Sequence, residues 1–376
     1  MATLSRRDFA RLAAAASLAP TSLTPLTARA DSPRPMIIAE GGAAEERIED
    51  TRSALDLAIN QGCDFIQVDL APTKDGALVA RRDHEISART NVADRPEFAD
   101  RKTEKTVDGK QVTGWFAEDF TLAELTSLTC RERLPDLRPQ LVRLDGKEPI
   151  LSLADVLQIA RVGCVRTART IGVCLGMRNT RYFADLDMPI VDRLVAQLGT
   201  EGYVAEAAAV WVQCAQPEAL AAFGRVSPIR RMQIIESGDG SPGAADAGFA
   251  AMTSRDGLAK LRGDAEAIAP DQDLLFDPAA ALFPAPTTLA LDAHAAGLQV
   301  FSRTARAQNA FLPPALRRGS AKSKGFQAAR GDVDKLLLSL FANGVDGVAT
   351  DLPAAAVKAR AAAIDAIRRG RGGQHG

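Results

Sequence analysis

The chain has 376 residues, of which 46% are hydrophobic and 25% charged, and its 46 basic residues nearly balance 47 acidic ones. This length is enough for one large domain with a well-buried core. The small net charge gives no electrostatic basis for binding nucleic acid or an anionic membrane surface. The five cysteines show no metal-ligand spacing, and whether any of them pair, Cys130 with Cys164 for example, stays open.

The first thirty residues have the layout of an export signal. Arg6 and Arg7 are adjacent, an apolar alanine-leucine stretch follows, and a small-residue cleavage site, "ARA", ends at residue 30. This arrangement is typical of a twin-arginine signal, and its apolar part is too short to span a bilayer. An ordinary amphipathic first helix is the alternative. We therefore predict a signal peptide at 1–30, export to the periplasm and no transmembrane segment.

Strand-like and helix-like segments alternate along the rest of the chain. The strand-like runs are, in chain order, "MIIAE", "DFIQVDLA", "ALVARRD", "IGVCLG", "AAVWVQC", "RMQIIES", "LQVFSRT" and "VDGVATD". Helix-like stretches lie at 49–61, 151–162, 189–199, 215–223, 287–296 and 332–343. Eight strands, several of them apolar on both faces, indicate a closed (β/α)₈ barrel. An open doubly wound sheet is the alternative, but "EGGAAE" is not the glycine-rich phosphate fingerprint of such sheets.

Three regions add detail to this barrel. The pair Asp75-Gly76 lies between the second and third strand runs and predicts a tight turn. Residues 87–148 are polar and rich in charge, and we predict that they form an insertion over the barrel mouth after the third strand. The glycines and arginines of 367–376 predict a disordered basic tail, so the barrel is expected to span 31–366.

Chemistry in such a barrel sits at the carboxyl ends of the strands. The residues predicted at those ends are Glu40, Gln67, Asp69, Arg82, Asp83, Gly176, Arg178, Cys214, Glu236, Arg303 and Asp351. His84 lies two residues past Arg82, so in an extended chain both side chains would point to the same side. His84 is therefore a candidate catalytic histidine, and a polar loop residue is the alternative interpretation.

Several segments carry a resemblance to one known family, and together they cover nearly the whole mature chain. They are "EDT" at 49–51, "ALDLAINQGCDFIQVDLAPTKDGALVARRDHEI", "NVADRPEFADRKTEKTVDGKQVTGWFAEDFTLAEL", "RERLPDLRP", "NAFLP" and "GVDGVATDLP". In these segments the sequence resembles the glycerophosphodiester phosphodiesterase family, especially its periplasmic branch. The resemblance implies a TIM barrel of the PLC-like phosphodiesterase type, a Ca²⁺ or Mg²⁺ cofactor and phospholipid-derived glycerophosphodiesters as substrates.

The sequence departs from the family pattern where the resemblance implies catalytic residues. The family's first strand ends in His-Arg-Gly, where this chain has Glu40-Gly41-Gly42, and its third ends in His-Asp, where this chain has Arg82-Asp83. Phosphodiester cleavage of this kind needs a proton donor and a proton acceptor, and histidine suits both roles near neutral pH. Arg82 cannot exchange a proton at neutral pH, and Glu40 would repel a phosphate.

The implied metal ligands are reduced as well. The family has Glu-x-Asp in its second strand, where this chain has Gln67 and Asp69, and a glutamate in the fourth strand that aligns with Gly176. A hard divalent cation prefers several charged oxygens, and only Asp69 is retained. Glu40 and Glu49 are possible replacement ligands. We therefore expect metal binding to be lost or weak.

Because catalytic groups that act together lose most of their effect once one is gone, we predict a catalytically inactive family member. It would be retained as a binding or interaction protein. Its pocket, lined by Arg82, Asp83, Arg178 and Arg303, would hold an anionic small molecule such as a glycerophosphodiester.

Two alternatives remain. The first is an active metal-dependent phosphodiesterase with a remodelled site that uses Glu40, Asp69 and Asp83, with His84 as a candidate further member. The second is an ordinary glycerophosphodiester phosphodiesterase whose catalytic residues lie at positions other than those aligned here with the family pattern.

Overall fold

The computed structural model describes residues 34–107, 109–236, 248–277 and 283–372. These residues form eleven strands. The strands are β1 (Met36–Glu40), β2 (Phe65–Pro72), β3 (Leu78–Ala80), β4 (Thr103–Val107), β5 (Lys110–Gly114), β6 (Gly172–Met177), β7 (Val210–Cys214), β8 (Arg230–Ile235), β9 (Ala267–Pro270), β10 (Gln299–Ala305) and β11 (Gly347–Thr350). Eight of them, all except β3, β4 and β5, form one parallel sheet.

The parallel sheet closes on itself. Its order is β1-β11-β10-β9-β8-β7-β6-β2, and β1 also pairs with β2, with Glu40 opposite Gln67. This closure confirms the predicted (β/α)₈ barrel. It also brings the carboxyl ends of all eight strands to one rim, because parallel strands in a barrel share their direction.

Two strand assignments made from the sequence were wrong. The predicted third barrel strand is only Leu78–Ala80, and it runs antiparallel to β2 around a turn in which Gly76 has a φ of 92°. It therefore extends β2 as a hairpin, because an alternating apolar pattern does not specify strand direction. The remaining barrel strand is β9, "AIAP", which is too short an apolar run to recognise within alanine-rich sequence.

Helices cover the outside of the barrel. They are α1 (Arg52–Asn60), α2 (Leu122–Thr126), α3 (Leu153–Thr167), α4 (Thr180–Asp185), α5 (Ile190–Thr200), α6 (Pro217–Val226), α7 (Gly248–Thr253), α8 (Arg255–Leu261), α9 (Leu289–Ala295), α10 (Val333–Ala342) and α11 (Pro353–Gly372). The six predicted helical stretches correspond to α1, α3, α5, α6, α9 and α10. The stretch predicted at 49–61 starts later than expected, because Thr51 caps α1 by accepting a hydrogen bond from the Ala54 amide.

The barrel interior divides into an apolar lower part and a polar rim. Phe65, Trp211 and Phe301 are buried in the lower part, and the rings of Trp211 and Phe301 are 5.5 Å apart. These bulky side chains fill the barrel, as they do in other closed eight-stranded barrels.

Residues 87–148 follow the β2–β3 hairpin and have a small apolar core of their own. The segment contains the antiparallel β4–β5 hairpin, short 3₁₀ turns and α2. Phe98, Trp115 and Phe120 pack there against other buried residues of the segment and of the β2–β3 hairpin. Although its sequence is polar, the segment is therefore packed onto the barrel and not a loose excursion.

Predictions were made for both ends of the chain, and only the one for the C-terminal end falls on described residues. The predicted signal peptide at 1–30 lies outside the described residues. The predicted disordered tail at 367–376 is wrong for its first six residues, which continue α11 to Gly372, because the alanine-rich helix before them propagates into a segment in which three of the six residues are arginines that favour the helix. All five cysteines are free thiols. Within the described ranges, no helix is long and apolar enough to cross a membrane.

Candidate functional site at the mouth of the barrel

A pocket opens at the rim of the barrel among charged side chains. Its lining comes from the ends of β1, β2 and β11, from the turns after β1 and β3, from the loop after β10, and from the segment 87–148. The lining residues are Glu40, Gly41, Ala44, Glu49, Asp50, Gln67, Val68, Asp69, Arg82, Arg133, Arg138, Arg306 and Asp351. Arg133 and Arg138 place part of the 87–148 segment at the barrel mouth.

Glu40, the last residue of β1, is held by three donors. Its Oε1 atom lies 3.2 Å from Nη1 of Arg82 and 3.3 Å from Nη2 of Arg306, and its Oε2 atom accepts a hydrogen bond from Thr304. Burial alone would raise the pKa of Glu40, but Arg306, Arg303 and Arg82 hold it far below its usual range. Glu40 is therefore a fixed carboxylate and a poor proton acceptor at neutral pH.

Arg82 bridges the ends of two strands. Besides its contact with Glu40, its Nη1 atom lies 3.7 Å from Oδ2 of Asp69. Burial would lower the pKa of Arg82, but Asp69 and Glu40 raise it above its already high value. Arg82 stays charged at every physiological pH, so it can hold an anion but cannot shuttle a proton.

Asp69 occupies space that a side chain at position 176 would need. Asp69 and Gly176 are register partners on β2 and β6, and a Cβ built on Gly176 would overlap the Oδ1 atom of Asp69. A second glycine, Gly41, has a φ of 67°, and a Cβ there would lie 2.9 Å from Cβ of Glu49. Both glycines therefore permit arrangements that a larger residue would exclude.

The side-chain oxygens of Gln67 and Asp69 are the atoms that could bind a divalent cation, but their present surroundings do not fit one. Oε1 of Gln67 and Oδ1 of Asp69 are buried without a hydrogen-bond partner, which leaves two oxygens for a ligand. However, the guanidinium of Arg82 lies against the other Asp69 oxygen and would repel a cation. Among the described residues, no group of three or more His, Cys, Asp or Glu side chains is spaced to hold a metal ion.

Glu49 and Asp50 form a second acidic pair in the pocket wall. Glu49 contacts Arg133 at 2.8 Å and Arg89 at 3.2 Å; burial would raise its pKa, but these arginines lower it to about 2. Burial and the neighbouring Glu49 raise the pKa of Asp50 to about 8. The pair thus holds one negative charge near neutral pH, and arginines already occupy the Glu49 carboxylate that was a possible metal ligand.

Asp83 and His84 are not among the described residues that line the pocket. Asp83 pairs with Arg89 and is half exposed. His84 is buried, with Nδ1 3.2 Å from Oε2 of Glu118 and its ring 4.7 Å from the ring of Tyr182. These contacts anchor the 87–148 segment to α4. The structure therefore does not bring His84 to Glu40 and Asp69, where a substitute catalytic histidine would be needed.

Arg178 and Arg303 meet at the opposite side of the mouth. Nη1 of each lies 3.8 Å from Oε1 of Glu236, and Nη1 of Arg178 is also 3.7 Å from Oδ2 of Asp69. Arg303 is 4% exposed, and its Nε and Nη1 atoms have no hydrogen-bond partner. Buried donors of this kind are costly unless something binds them.

Sequence reasoning missed three arginines of the pocket. Arg133 and Arg138 lie in "RERLPDLRP", a segment used for the resemblance, so a signal for them was present. Arg138 donates to the Ala44 carbonyl at 2.8 Å and pairs with Asp351. Arg306 lies in a loop after β10, where no periodic pattern marks it.

The amino-acid sequence is similar to a known protein family and to individual members of it. The sequence model of the glycerophosphoryl diester phosphodiesterase family matches residues 41–355. A glycerophosphodiester phosphodiesterase of Arabidopsis thaliana, GDPD6, is 29% identical over 292 residues, which cover 74% of this chain and 76% of the relative. A glycerophosphodiester phosphodiesterase of Haemophilus influenzae is 38% identical over 97 residues, or 26% of this chain and 24% of that protein.

Solved structures share the fold. A glycerophosphodiester phosphodiesterase from Agrobacterium tumefaciens has a TM-score of 0.53 at 15% identity, covering 86% of this chain and 98% of the other. An Oleispira antarctica phosphodiesterase, solved in complex with the product sn-glycerol-3-phosphate, has a TM-score of 0.55 at 18% identity, covering 86% and 96%. These similarities extend over nearly all of the barrel.

Proposed function

The chain belongs to the glycerophosphoryl diester phosphodiesterase family, and we propose that it is an exported member that has lost the phosphodiesterase reaction. In this proposal it binds an anionic small molecule, such as a glycerophosphodiester, at the mouth of the barrel. The observation that carries the proposal is the state of Glu40. This residue stands where the family resemblance implies a catalytic histidine, and Arg82, Arg306 and Thr304 hold it as a carboxylate.

The loss of the reaction is supported by the residues at the two positions where the family resemblance implies histidines, Glu40 and Arg82. An acid or base positioned at the reacting group is worth about 10²–10⁴ in rate. Glu40 stays ionised and Arg82 stays charged across neutral pH, so neither can alternate between the two roles. His84, the sequence's candidate substitute, is engaged with Glu118 instead.

Binding of an anion is supported by the arginines on the other side of the mouth. Nε and Nη1 of Arg303 are buried and make no hydrogen bond, although Nη1 lies 3.8 Å from Oε1 of Glu236, the oxygen that the Arg178 guanidinium also approaches. Guanidinium groups bind phosphate oxygens with paired, charge-assisted hydrogen bonds. The Oleispira neighbour, solved with sn-glycerol-3-phosphate, suggests this compound as a probe.

The test combines turnover with binding. Glycerophosphocholine hydrolysis is followed with calcium or magnesium present, and sn-glycerol 3-phosphate binding is measured by calorimetric titration. We expect no turnover above background and saturable binding, with Arg303→Met weakening the affinity at least about tenfold. Arg255→Met is the matched control, because Arg255 is 84% exposed in its side chain and lies in a surface pair with Asp292.

Two results would refute the proposal. Metal-dependent hydrolysis by the unmodified protein would support the remodelled phosphodiesterase instead. Equal affinity in Arg303→Met and Arg255→Met would show that the anion does not bind at Arg303. Export is tested separately by cell fractionation, in which replacing Arg6 and Arg7 with lysine should retain the protein in the cytoplasm.

A further inference from the structure

A long loop joins β10 to α10 on the face of the barrel that carries the pocket mouth. It covers residues 306–332 and begins with Arg306, which lines the pocket. Its first half contains two short 3₁₀ turns, and its second half, from residue 317 onward, contains no helix and no strand longer than a single β-bridge. Loops of this length without regular structure are uncommon in compact domains and are usually functional or disordered.

Asn309 holds the base of this loop together. Its buried side chain donates from Nδ2 to the carbonyls of Arg318 and Phe326, at 2.8 and 2.9 Å. Its Oδ1 atom accepts a hydrogen bond from the Arg318 amide at 3.0 Å, and the Ala310 amide donates to the Gln327 carbonyl at 3.1 Å. The chain between these two anchor points, Arg318 and Phe326, therefore forms a closed surface loop on a fixed base.

Residues 317–330 of this loop, which we call the basic loop, carry charge of one sign. They include five basic side chains and no aspartate or glutamate, and every one of the basic side chains is exposed. The basic residues are Arg317, Arg318, Lys322, Lys324 and Arg330. The small net charge of the whole chain conceals this patch, because acidic residues elsewhere on the surface balance it in the sum.

Two of the five charges have carboxylate partners. The pairs are Arg318 with Asp332, and Arg330 with Glu45 at 4.0 Å. Lys322 and Lys324 lie between the two anchor points and form no ion pair within the part of the chain that the structure describes. The basic loop therefore keeps an uncompensated positive charge at its tip.

The composition of the tip indicates what kind of surface it fits. The tip, "GSAKSKG" at 319–325, has no large apolar or aromatic side chain. Stable protein–protein interfaces usually centre on buried aromatic or arginine side chains that fill pockets on the partner. A layer of anionic lipid headgroups needs no such anchor, because it attracts basic residues by charge alone. The tip therefore fits a charged lipid surface better than it fits a folded protein.

We infer that the basic loop docks this protein onto an anionic phospholipid surface, with the mouth of the barrel on the side that faces the lipid. The positive charge complements the phosphate groups of the lipid headgroups. The loop follows β10, and its first residue, Arg306, lines the pocket. Docking through this loop would therefore place the pocket close to the headgroup layer.

The attraction is expected to be moderate and sensitive to salt. Each basic residue near an anionic membrane surface raises the partition coefficient about fivefold. The Debye length falls from about 10 Å at 0.1 M salt to about 3 Å at 1 M. Docking through exposed lysines should therefore be strong at low salt and lost at high salt.

The experiment measures how much of the full chain sediments with phospholipid vesicles at low salt. One set of vesicles contains about one-third phosphatidylglycerol in phosphatidylcholine, and the other contains phosphatidylcholine alone. We expect binding to the anionic vesicles only, and its loss in about 1 M NaCl. Lys322→Gln combined with Lys324→Gln should lower the partition coefficient at least about tenfold.

A matched control removes the same charge from another part of the surface. Lys260→Gln combined with Lys358→Gln changes two exposed lysines on α8 and α11, the helices outside the barrel. This variant should bind the anionic vesicles as the unmodified protein does. Residues 1–30 are identical in every variant, so they cannot cause a difference between variants.

Three results would overturn the inference. The first is no binding of the unmodified protein to the anionic vesicles, and the second is an equal loss of binding in the two double variants. The third is binding to polyglutamate that needs Lys322 and Lys324, without binding to vesicles, which would assign the basic loop to an acidic protein. The melting temperature of each variant shows that it is folded.

This inference goes beyond the proposed function and fails separately from it. Turnover of glycerophosphocholine, or absent binding of sn-glycerol 3-phosphate, would refute the proposed function and leave the vesicle result unchanged. Conversely, a protein that ignores anionic vesicles can still bind a small anion in its pocket.

Discussion

The carboxylate of Asp69 fills the space beside Gly176, across the paired strands β2 and β6. A Cβ at position 176 would overlap Oδ1 of Asp69. The absence of one side chain therefore determines where a neighbouring carboxylate lies.

Gly176→Ala should destabilise the protein by about 1–3 kcal/mol, the usual cost of overpacking a buried site. Urea denaturation measures this change. Gly199→Ala is the control, since no atom lies within 4 Å of a Cβ there and alanine is favoured by up to about 1 kcal/mol in helix α5. In an Asp69→Ala background the cost of Gly176→Ala should largely disappear, and an unchanged cost would show that Asp69 is not the obstacle.

Glu40→Gln should raise the affinity for sn-glycerol 3-phosphate, because it removes a fixed negative charge that now neutralises Arg82 and Arg306. An effect of about tenfold is expected for one charge in a partly buried pocket. Calorimetric titration measures it, with Glu46→Gln, an exposed glutamate outside the pocket lining, as the control. A weaker affinity in Glu40→Gln would mean that the anion does not bind near these arginines.

Asp50→Asn should change how stability depends on pH. The folded-state pKa of Asp50 is raised to about 8, so its stabilising contribution is complete below the unfolded value of about 4 and declines as pH rises from about 4 to about 8. The free energy of unfolding of the variant, relative to that of the unmodified protein, should therefore increase across this range and be higher at pH 9 than at pH 5 by at least about 1 kcal/mol. Denaturation across this pH range measures the difference.

The exposed Asp136 provides the control for that series. Asp136→Asn should keep the pH profile of the unmodified protein. A constant difference between Asp50→Asn and the unmodified protein at all pH values would contradict the assignment of the loss to Asp50.

His84→Gln should lower stability without changing anion binding. It removes a buried ring that contacts Glu118 and Tyr182, and losing one buried hydrogen bond costs about 1–3 kcal/mol. His294→Gln, at a partly exposed pair with Asp346, should cost less than about 1 kcal/mol. Thermal denaturation and titration with sn-glycerol 3-phosphate separate the two effects, and a lost affinity in His84→Gln would place His84 in the binding site.

The barrel and the rim residues could be predicted because both follow from local pattern. Apolar runs that alternate with helices indicate parallel strands, and the residue that ends each strand must face the common rim. Glu40, which ends β1, was placed correctly for this reason, whereas Gln67 and Asp69 line the pocket from within β2.

Contacts between segments that are distant in the sequence could not be predicted. His84 looks like a site residue along the chain, but Glu118 and Tyr182, from an insertion and a later helix, hold it elsewhere. Arg306 lies in a loop, and loops carry no periodic signal. The direction of β3 was also missed, because parallel and antiparallel strands share the same alternation of side chains.

The left-handed backbone of Gly41 bears on how such a pocket changes over evolutionary time. Any larger residue there must adopt a φ of 67° and push against Glu49, which is costly for L-amino acids. An arginine at this position therefore requires the turn after β1 or the Glu49 side chain to shift. If the reaction has been lost as proposed, this turn opposes its recovery through a single substitution at Gly41.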